Sequence, residues 1–256
     1  MTQAERRTYL IQTLLDEGGY ANAIPEGAED QRRLLRALMN VRPPRPIGED
    51  FLRVQDDYLR ERAREKGIVD ARDIAPLQGR LCVWRGDITR LRVDAIVNAA
   101  NSGMTGCYQP NHSCIDNAIH TFAGVQLRLK CAELMDAQGT PEPTGQAKLT
   151  PAYNLPSRYV IHTVGTICQG HVVTPQNVRE LESCYRACME AADANGIRSI
   201  AFCCISTGVF GFPRRRGAEI AVRTVRACLE QGSGVEQVIF NVFSPEDEAC
   251  YLELLQ

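Results

Sequence analysis

Two cysteines and a histidine, Cys107, His112 and Cys114, fall within one eight-residue span. Thiolate sulfur and imidazole nitrogen are donors that suit Zn²⁺. The spacing Cys-x4-His-x-Cys is not a common structural-finger spacing, and the local count of ligands is three. A closed structural zinc site takes four protein ligands, whereas a catalytic one leaves a position for water or a substrate oxygen. Two other readings stand beside this one. A distant fourth ligand would make the site structural, and in a chain with eleven cysteines the grouping can arise by chance.

Asp116 follows at the start of an expected helix. There an acid favours the helix dipole, and beside a metal it can hold or polarise a water or a sugar hydroxyl. His120 lies four residues on, on the same helix face, and reads as a buried, hydrogen-bonded structural histidine. Upstream, the run Val93 to Asn101 ends in two amides separated by two alanines. Asn98 suits the satisfaction of buried backbone groups, and Asn101, nearer the open end, suits a sugar hydroxyl. In Gly86-Asp87-Ile88-Thr89 the carboxylate can accept a hydrogen bond from an exocyclic amine such as that of adenine, or simply cap a turn. Ser206-Thr207-Gly208-Val209-Phe210-Gly211-Phe212-Pro213 lies between a strand and a helix. Its glycines can turn successive N–H groups toward one point, with the helix dipole behind them, as a diphosphate cradle needs. The competing reading is a tight connection. Phe210 can lie against a ribose, and Phe243 can stack on a base or fill the core.

Elements of the right kind must position these residues. Residues 80–256 alternate short apolar runs with helical patterns. The runs are Arg80–Trp84, Ala95–Asn98, Tyr159–Val164, Ser199–Ile205 and Val238–Phe243, and the helices Ile115–Met135, Asn177–Asn195, Arg214–Glu230 and one opening at Pro245. This predicts a layered α/β domain with a largely parallel sheet, whose ligands sit at the carboxyl ends of the strands. Residues 1–75 differ: three or so helices, a Pro-rich turn at Arg42–Pro46, and no chemistry, so they read as a helical extension capping a domain over 76–256.

The chain has 256 residues and net charge −2, which supplies no strong field for nucleic acid. No apolar run is long enough to span a bilayer, and the first sixteen residues lack the apolar stretch of a secretory signal. The cysteines fall mostly in apolar or helical patterns rather than in a disulfide framework, which points to a reducing compartment, cytoplasmic or mitochondrial.

Taken in order, Gly86–Thr89, Val93–Asn101, Cys114–Gly124, Ile205–Pro213 and Val238–Phe243 resemble the macrodomain family over about Leu77 to Gln256, and specifically its zinc-containing branch. The resemblance implies a three-layer α/β/α sandwich around a mixed, mostly parallel six-stranded sheet, with a cleft for ADP-ribose. It assigns the adenine amine to Asp87 with the Ile88 backbone, and adenine stacking to Phe243. Ser206, Thr207, Gly208, Val209, Phe210 and Gly211 fall to the diphosphate and distal ribose, and Asn101 to that ribose. Asp116 takes the place of the family's catalytic aspartate, with Asn101 as its partner in catalysis. Hydrolytic macrodomains carry a glycine run before that aspartate, and here Cys107 to Cys114 replaces it. The replacement resembles the branch that binds zinc through Cys107, His112 and Cys114 and is linked to removal of mono-ADP-ribose from Asp and Glu side chains. Some members of that branch act beside a sirtuin-type ADP-ribosyltransferase and a lipoylated carrier protein. The expectation is a monomeric zinc-dependent hydrolase of ADP-ribosylated proteins. The alternatives are a non-catalytic reader with a structural zinc, and an esterase or phosphatase acting on small ADP-ribose derivatives.

Overall fold

A computed structural model describes residues 1–21 and 23–256. The first three elements are helices, α1 (Gln3–Gly18), α2 (Ala28–Val41) and α3 (Glu49–Lys66). Local chemistry sets their ends. Thr2 and Glu5 form a reciprocal capping box at the start of α1, and Gly19 closes it in the left-handed region at φ 65°. The three pack through Leu10, Ile11, Leu14, Leu35, Leu38, Phe51, Val54 and Tyr58, a core separate from the main one that also takes in Val125. The charged face of α3 thus hides an apolar stripe, and the helix stops at Gly67 as the sequence predicts.

The rest of the chain runs β1 (Val69–Asp70), β2 (Leu81–Arg85), β3 (Leu91–Arg92), β4 (Ala95–Ala100), α4 (Ile115–Ala123), α5 (Val125–Gln138), β5 (Ala147–Pro151), β6 (Tyr159–Val164), α6 (Pro175–Ala194), β7 (Ser199–Phe202), α7 (Arg214–Glu230), β8 (Gln237–Val242) and α8 (Pro245–Leu255). Six strands form a mixed sheet in the order β2-β8-β7-β4-β6-β5, parallel except for β5, which runs antiparallel to β6. β4, β6, β7 and β8 are near-continuous apolar runs because helices cover the sheet, as parallel sheets require. The expected layered α/β architecture is what forms. The short pair β1 and β3 lies apart, joined in parallel register, and Ala71 and Ile74 enter the main core.

Beyond the unforeseen short strands β1 and β3 and the end of β7 at Phe202 rather than Ile205, two elements differ from the sequence reading. The pattern from Ile115 to Met135 is two helices, broken at Gly124, whose φ of 100° continues no helix. The break is held from outside: Gln55 of α3, fully buried, accepts the Val125 N–H at 3.0 Å, and the Asn154 amide donates to the freed Ala123 carbonyl at 3.0 Å. The other difference is β5. Its Ala-Lys-Leu-Thr-Pro run is too polar to read as a buried strand, and it forms at the sheet edge, where Pro151 ends it without breaking a central ladder.

Candidate active site

β2, β8, β7 and β4 are parallel neighbours, so their carboxyl ends lie in a row along one edge of the sheet. The residues just beyond them follow that order: Asp87 after β2, Phe243 after β8, Ser206 to Phe212 after β7, and Asn101 after β4. They open onto a cavity of about 1240 Å³. That exceeds the ~300–1,000 Å³ typical of sites for drug-sized ligands, and it leaves room for an extended nucleotide-sized molecule. Asp87, Ile88, Asn101, Cys107, His112, Cys114, Asp116, Ser206, Thr207, Gly208, Val209, Phe210 and Phe243 all line it. Gly211 is the exception among the expected site residues. It turns the chain behind the loop at φ 71°, where a Cβ would come within 3.0 Å of the Cys168 carbonyl oxygen.

At one end, Phe243 is 81% exposed, so it is no core phenylalanine. Asp87 both caps a short 3-10 turn, accepting from Thr89 N at 3.0 Å and Thr89 Oγ1 at 2.6 Å, and walls the cavity. Its second oxygen accepts from Lys66 Nζ of α3 at 2.9 Å. Burial raises the Asp87 pKa, but Lys66 and the Thr89 hydrogen bonds outweigh it and hold the carboxyl below its usual range. In the middle, the loop after β7 folds on itself, with Gly211 N donating to the Gly208 carbonyl and Phe212 N to that of Ser206, both at 3.0 Å. Among the described residues the N–H groups of Gly208, Val209 and Phe210 find no backbone acceptor. Ser206 holds a left-handed φ of 66°, and its buried hydroxyl has no partner among the described residues. Donors left free and a strained serine are features that binding loops carry.

At the other end, Asp116 is 5% exposed. Asn98 donates to its Oδ1 at 2.8 Å and Asn101 to its Oδ2 at 3.3 Å. Burial pushes the carboxyl up to about 6, against the pull of the Asn98 bond, Arg128 and the Asn101 bond. Asn101 also donates to the Gly106 carbonyl at 3.1 Å and accepts from Gly103 N at 2.9 Å, so its amide fixes the turn that delivers the cysteine loop. Among the described residues the Asn98 side chain satisfies no backbone group. It is a buried link between Asp116 and His162 Nδ1, 3.1 Å away, and that contact leaves Nε2 protonated toward Thr150 Oγ1 at 2.9 Å. His120 is buried as expected, but the expected hydrogen bonds are absent. Neither ring nitrogen has a partner among the described residues, although Nε2 lies 3.5 Å from Asp116 Oδ1. Complete burial keeps this imidazole neutral, its pKa well below the ordinary value.

Cys107, His112 and Cys114 meet beside Asp116, their donor atoms all within 4.8 Å of one another. Cys107 Sγ is 3.6 Å from His112 Nδ1. Tetrahedral zinc with bonds of about 2.3 Å to sulfur and about 2.0 Å to nitrogen separates such a pair by about 3.5 Å. The donor set and its spacing therefore fit a zinc ion facing the cavity. Burial pushes the Cys114 thiol up to about 11, so without a cation it stays protonated. A further group, His120, Cys131 and His162, lies wholly buried behind Asp116.

Sequence reasoning missed the extension's part in the site. Arg32, Arg33, Arg36, Arg62 and Lys66 all line the cavity wall facing the sheet. One more arginine in an amphipathic charged helix carries no signal that separates it from a solvated one.

A family model described as Macro domain matches residues 97–221. A Treponema medium protein named Protein-ADP-ribose hydrolase is 54% identical over 261 residues, spanning 100% of each chain. A Staphylococcus aureus (strain MSSA476) protein of the same name is 47% identical over 251 residues, spanning 97% of this chain and 94% of that one. Among solved structures, a Trypanosoma brucei macrodomain in complex with ADP-ribose is similar at 29% identity and a TM-score of 0.67, covering 86% of this chain and 95% of that one. Identity of this degree along the whole length, on a sheet of this order, means that the chain belongs to the Macro domain family.

Proposed function

We propose that this protein binds ADP-ribose along the row of strand ends and hydrolyses mono-ADP-ribose from Asp and Glu side chains of modified proteins, with Zn²⁺ held by Cys107, His112 and Cys114. The observation that carries this reading is the order of chemistry across the sheet edge. An exposed aromatic and a carboxylate stand at β8 and β2, free N–H groups follow at β7, and a buried acid with a metal-fitting triad lies at β4. An adenine, a diphosphate and a distal ribose follow one another in the same order. The names of the relatives support the same activity, and the ADP-ribose held by the trypanosomal macrodomain supports the ligand.

The bond broken is the ester between a protein carboxyl and C1″ of the distal ribose. One water adds across it, giving ADP-ribose and the free carboxyl. Asp116, with both oxygens held by amides, accepts a hydrogen bond from the attacking water or a ribose hydroxyl and fixes its direction. Asn101 orders the turn on which the ribose rests. The loop after β7 directs its N–H groups at the diphosphate. A bound zinc supplies Lewis-acid polarisation of an oxygen at this end of the cleft.

The test is release of ADP-ribose from an aspartate- or glutamate-linked substrate, before and after zinc removal, with zinc content measured alongside. Turnover that falls on chelation and returns with added zinc supports the reading. Full activity in verified metal-free protein rejects the metal's part. Tight ADP-ribose binding with no release from any linkage makes the protein a reader instead, and turnover confined to small ADP-ribose esters or phosphates makes it a small-molecule hydrolase.

A further inference from the structure

We infer that helix α2 of the N-terminal extension is a clamp for the metal-ligand loop, with Arg36 and Asn40 as its positioning residues. The inference rests on the zinc reading of that loop. Residues 106–114 contain no helix or strand, and within the loop one backbone hydrogen bond forms, His112 N to the Gln109 carbonyl at 3.3 Å. Three donor side chains on such a segment do not hold a coordination geometry by themselves, since their positions are only as fixed as the backbone carrying them.

The fixing comes from α2. Arg36 donates through Nη2 to the His112 carbonyl at 2.9 Å, and through Nε and Nη2 to Asn117 Oδ1 at 3.0 and 2.7 Å. Asn117, from the first turn of α4, donates in turn to the Gln109 carbonyl at 3.0 Å. One helical turn further along α2, Asn40 accepts from Asn111 N at 3.0 Å and donates to Thr121 Oγ1 at 3.0 Å. Residues 36 and 40 on α2 therefore face 117 and 121 on α4, two rungs at helical i,i+4 spacing, and each rung holds a backbone group of the loop. Asn111 sits at a left-handed φ of 55°, which asparagine tolerates, and the Asn40 bond fixes its N–H there.

The other end of the loop is tied to the same helix. Arg128 of α5 is buried, and its Nη1 binds the Asn40 and Arg42 carbonyls at the C-terminus of α2, each at 2.6 Å. Its Nη2 reaches the Cys107 carbonyl at 3.4 Å. The hydrogen-bond partners of Arg36 are two neutral acceptors, the His112 carbonyl and Asn117 Oδ1. A helix that only covered the domain would show none of these contacts to loop backbone.

The full-length protein tests this, as wild type and with Arg36→Ala, Arg36→Lys and Asn40→Ala. Zinc affinity is read by competition against a chelating dye, and order in the loop by amide hydrogen exchange of residues 107–114 in metal-free protein. Thermal unfolding of the same metal-free samples reports the fold. The clamp predicts a loss of zinc affinity of about 10- to 100-fold in the alanine variants, the range seen when a metal site's supporting shell is cut. It also predicts faster exchange in the loop and unchanged exchange in β4, β6 and β7. Arg36→Lys falls between, because its ammonium keeps the charge but lacks the Nε donor and the fixed planar geometry of the guanidinium. Zinc affinity and loop exchange within twofold of wild type in both alanine variants overturn the inference. Should Arg36→Ala fail to fold, Arg36→Gln, which keeps one donor, takes its place under the same criteria. If wild-type protein takes up no zinc, the reading of the triad fails by itself, and loop exchange then decides the clamp.

Discussion

Phe243 and Asp116 mark the two ends of the cleft, and they are expected to fail differently. An exposed phenylalanine has little packing to lose, so Phe243→Ala should leave the fold intact. Loss of one base-stacking contact of about 1–3 kcal/mol weakens ADP-ribose binding by roughly 5- to 150-fold. Titration calorimetry with ADP-ribose measures this directly, and unchanged affinity would remove the base from that end of the cleft. Asp116→Asn keeps the shape of the side chain and removes the charge. Release of protein-linked ADP-ribose should fall by about 10²- to 10⁴-fold, the usual scale for a positioned acid–base group, while ADP-ribose affinity shifts far less. A variant that turns over at the wild-type rate would end the assignment. Phe243 is legible in the sequence because an aromatic follows directly on a strand, and Asp116 because an acid opens a helix right after the cysteine–histidine cluster. Asn98 is less so. A buried amide at that position reads as satisfying backbone, and only tertiary structure turns it toward Asp116 and His162.

At the scale of elements, the strands that carry the site read easily because parallel strands buried on both faces are apolar throughout. The break at Gly124 does not, since it depends on Gln55 and Asn154 arriving from elsewhere in the chain to take up the freed backbone groups. β5 hides for another reason, the polar Lys148 and Thr150 in its run, although Thr150 is buried against His162. The extension is legible as three helices, and its contribution to the cleft is not, because the i,i+4 rungs between α2 and α4 join residues 81 apart in sequence. Gly106 links these levels. Its φ is 85°, and a Cβ there would lie 2.8 Å from the His120 ring. Gly106→Ala is expected to cost about 1–3 kcal/mol of stability from backbone strain and the clash with a fully buried ring. Urea denaturation reads the loss, and a wild-type midpoint would mean that the turn into the cysteine loop relaxes without cost.

For the whole molecule, the buried histidines set a dependence on pH. Burial holds His162 down at about 3 and His120 well below the ordinary 6.5. As pH falls below 6.5 the unfolded chain takes up protons that the folded chain refuses, so stability present above 6.5 is lost toward pH 3. Each histidine contributes a slope of up to about 1.4 kcal/mol per pH unit. Asp116 acts in the opposite sense between its ordinary 3.8 and about 6, because there the folded chain binds the extra proton. One carboxyl offsets at most one of the two imidazoles, so the net effect of acid is destabilising. In metal-free protein the urea midpoint should fall between pH 7 and pH 5, and His162→Gln should flatten that fall. Equal slopes in the two proteins would show that His162 titrates freely in the folded state.

The ammonium of Lys66 beside Asp87 bears on which bases the cleft can tell apart. A carboxylate alone would welcome the amine of adenine and repel the carbonyl oxygen that hypoxanthine carries at the same ring position. With Nζ 2.9 Å from that carboxylate, the corner offers a donor as well as an acceptor, and under the proposed placement of adenine there either base would find a complement. Inosine- and adenosine-based diphosphoribose should therefore bind within about tenfold of each other, a gap near 1.4 kcal/mol. Lys66→Ala should widen it by making the corner purely anionic, and a wild-type preference already far beyond tenfold would refute this.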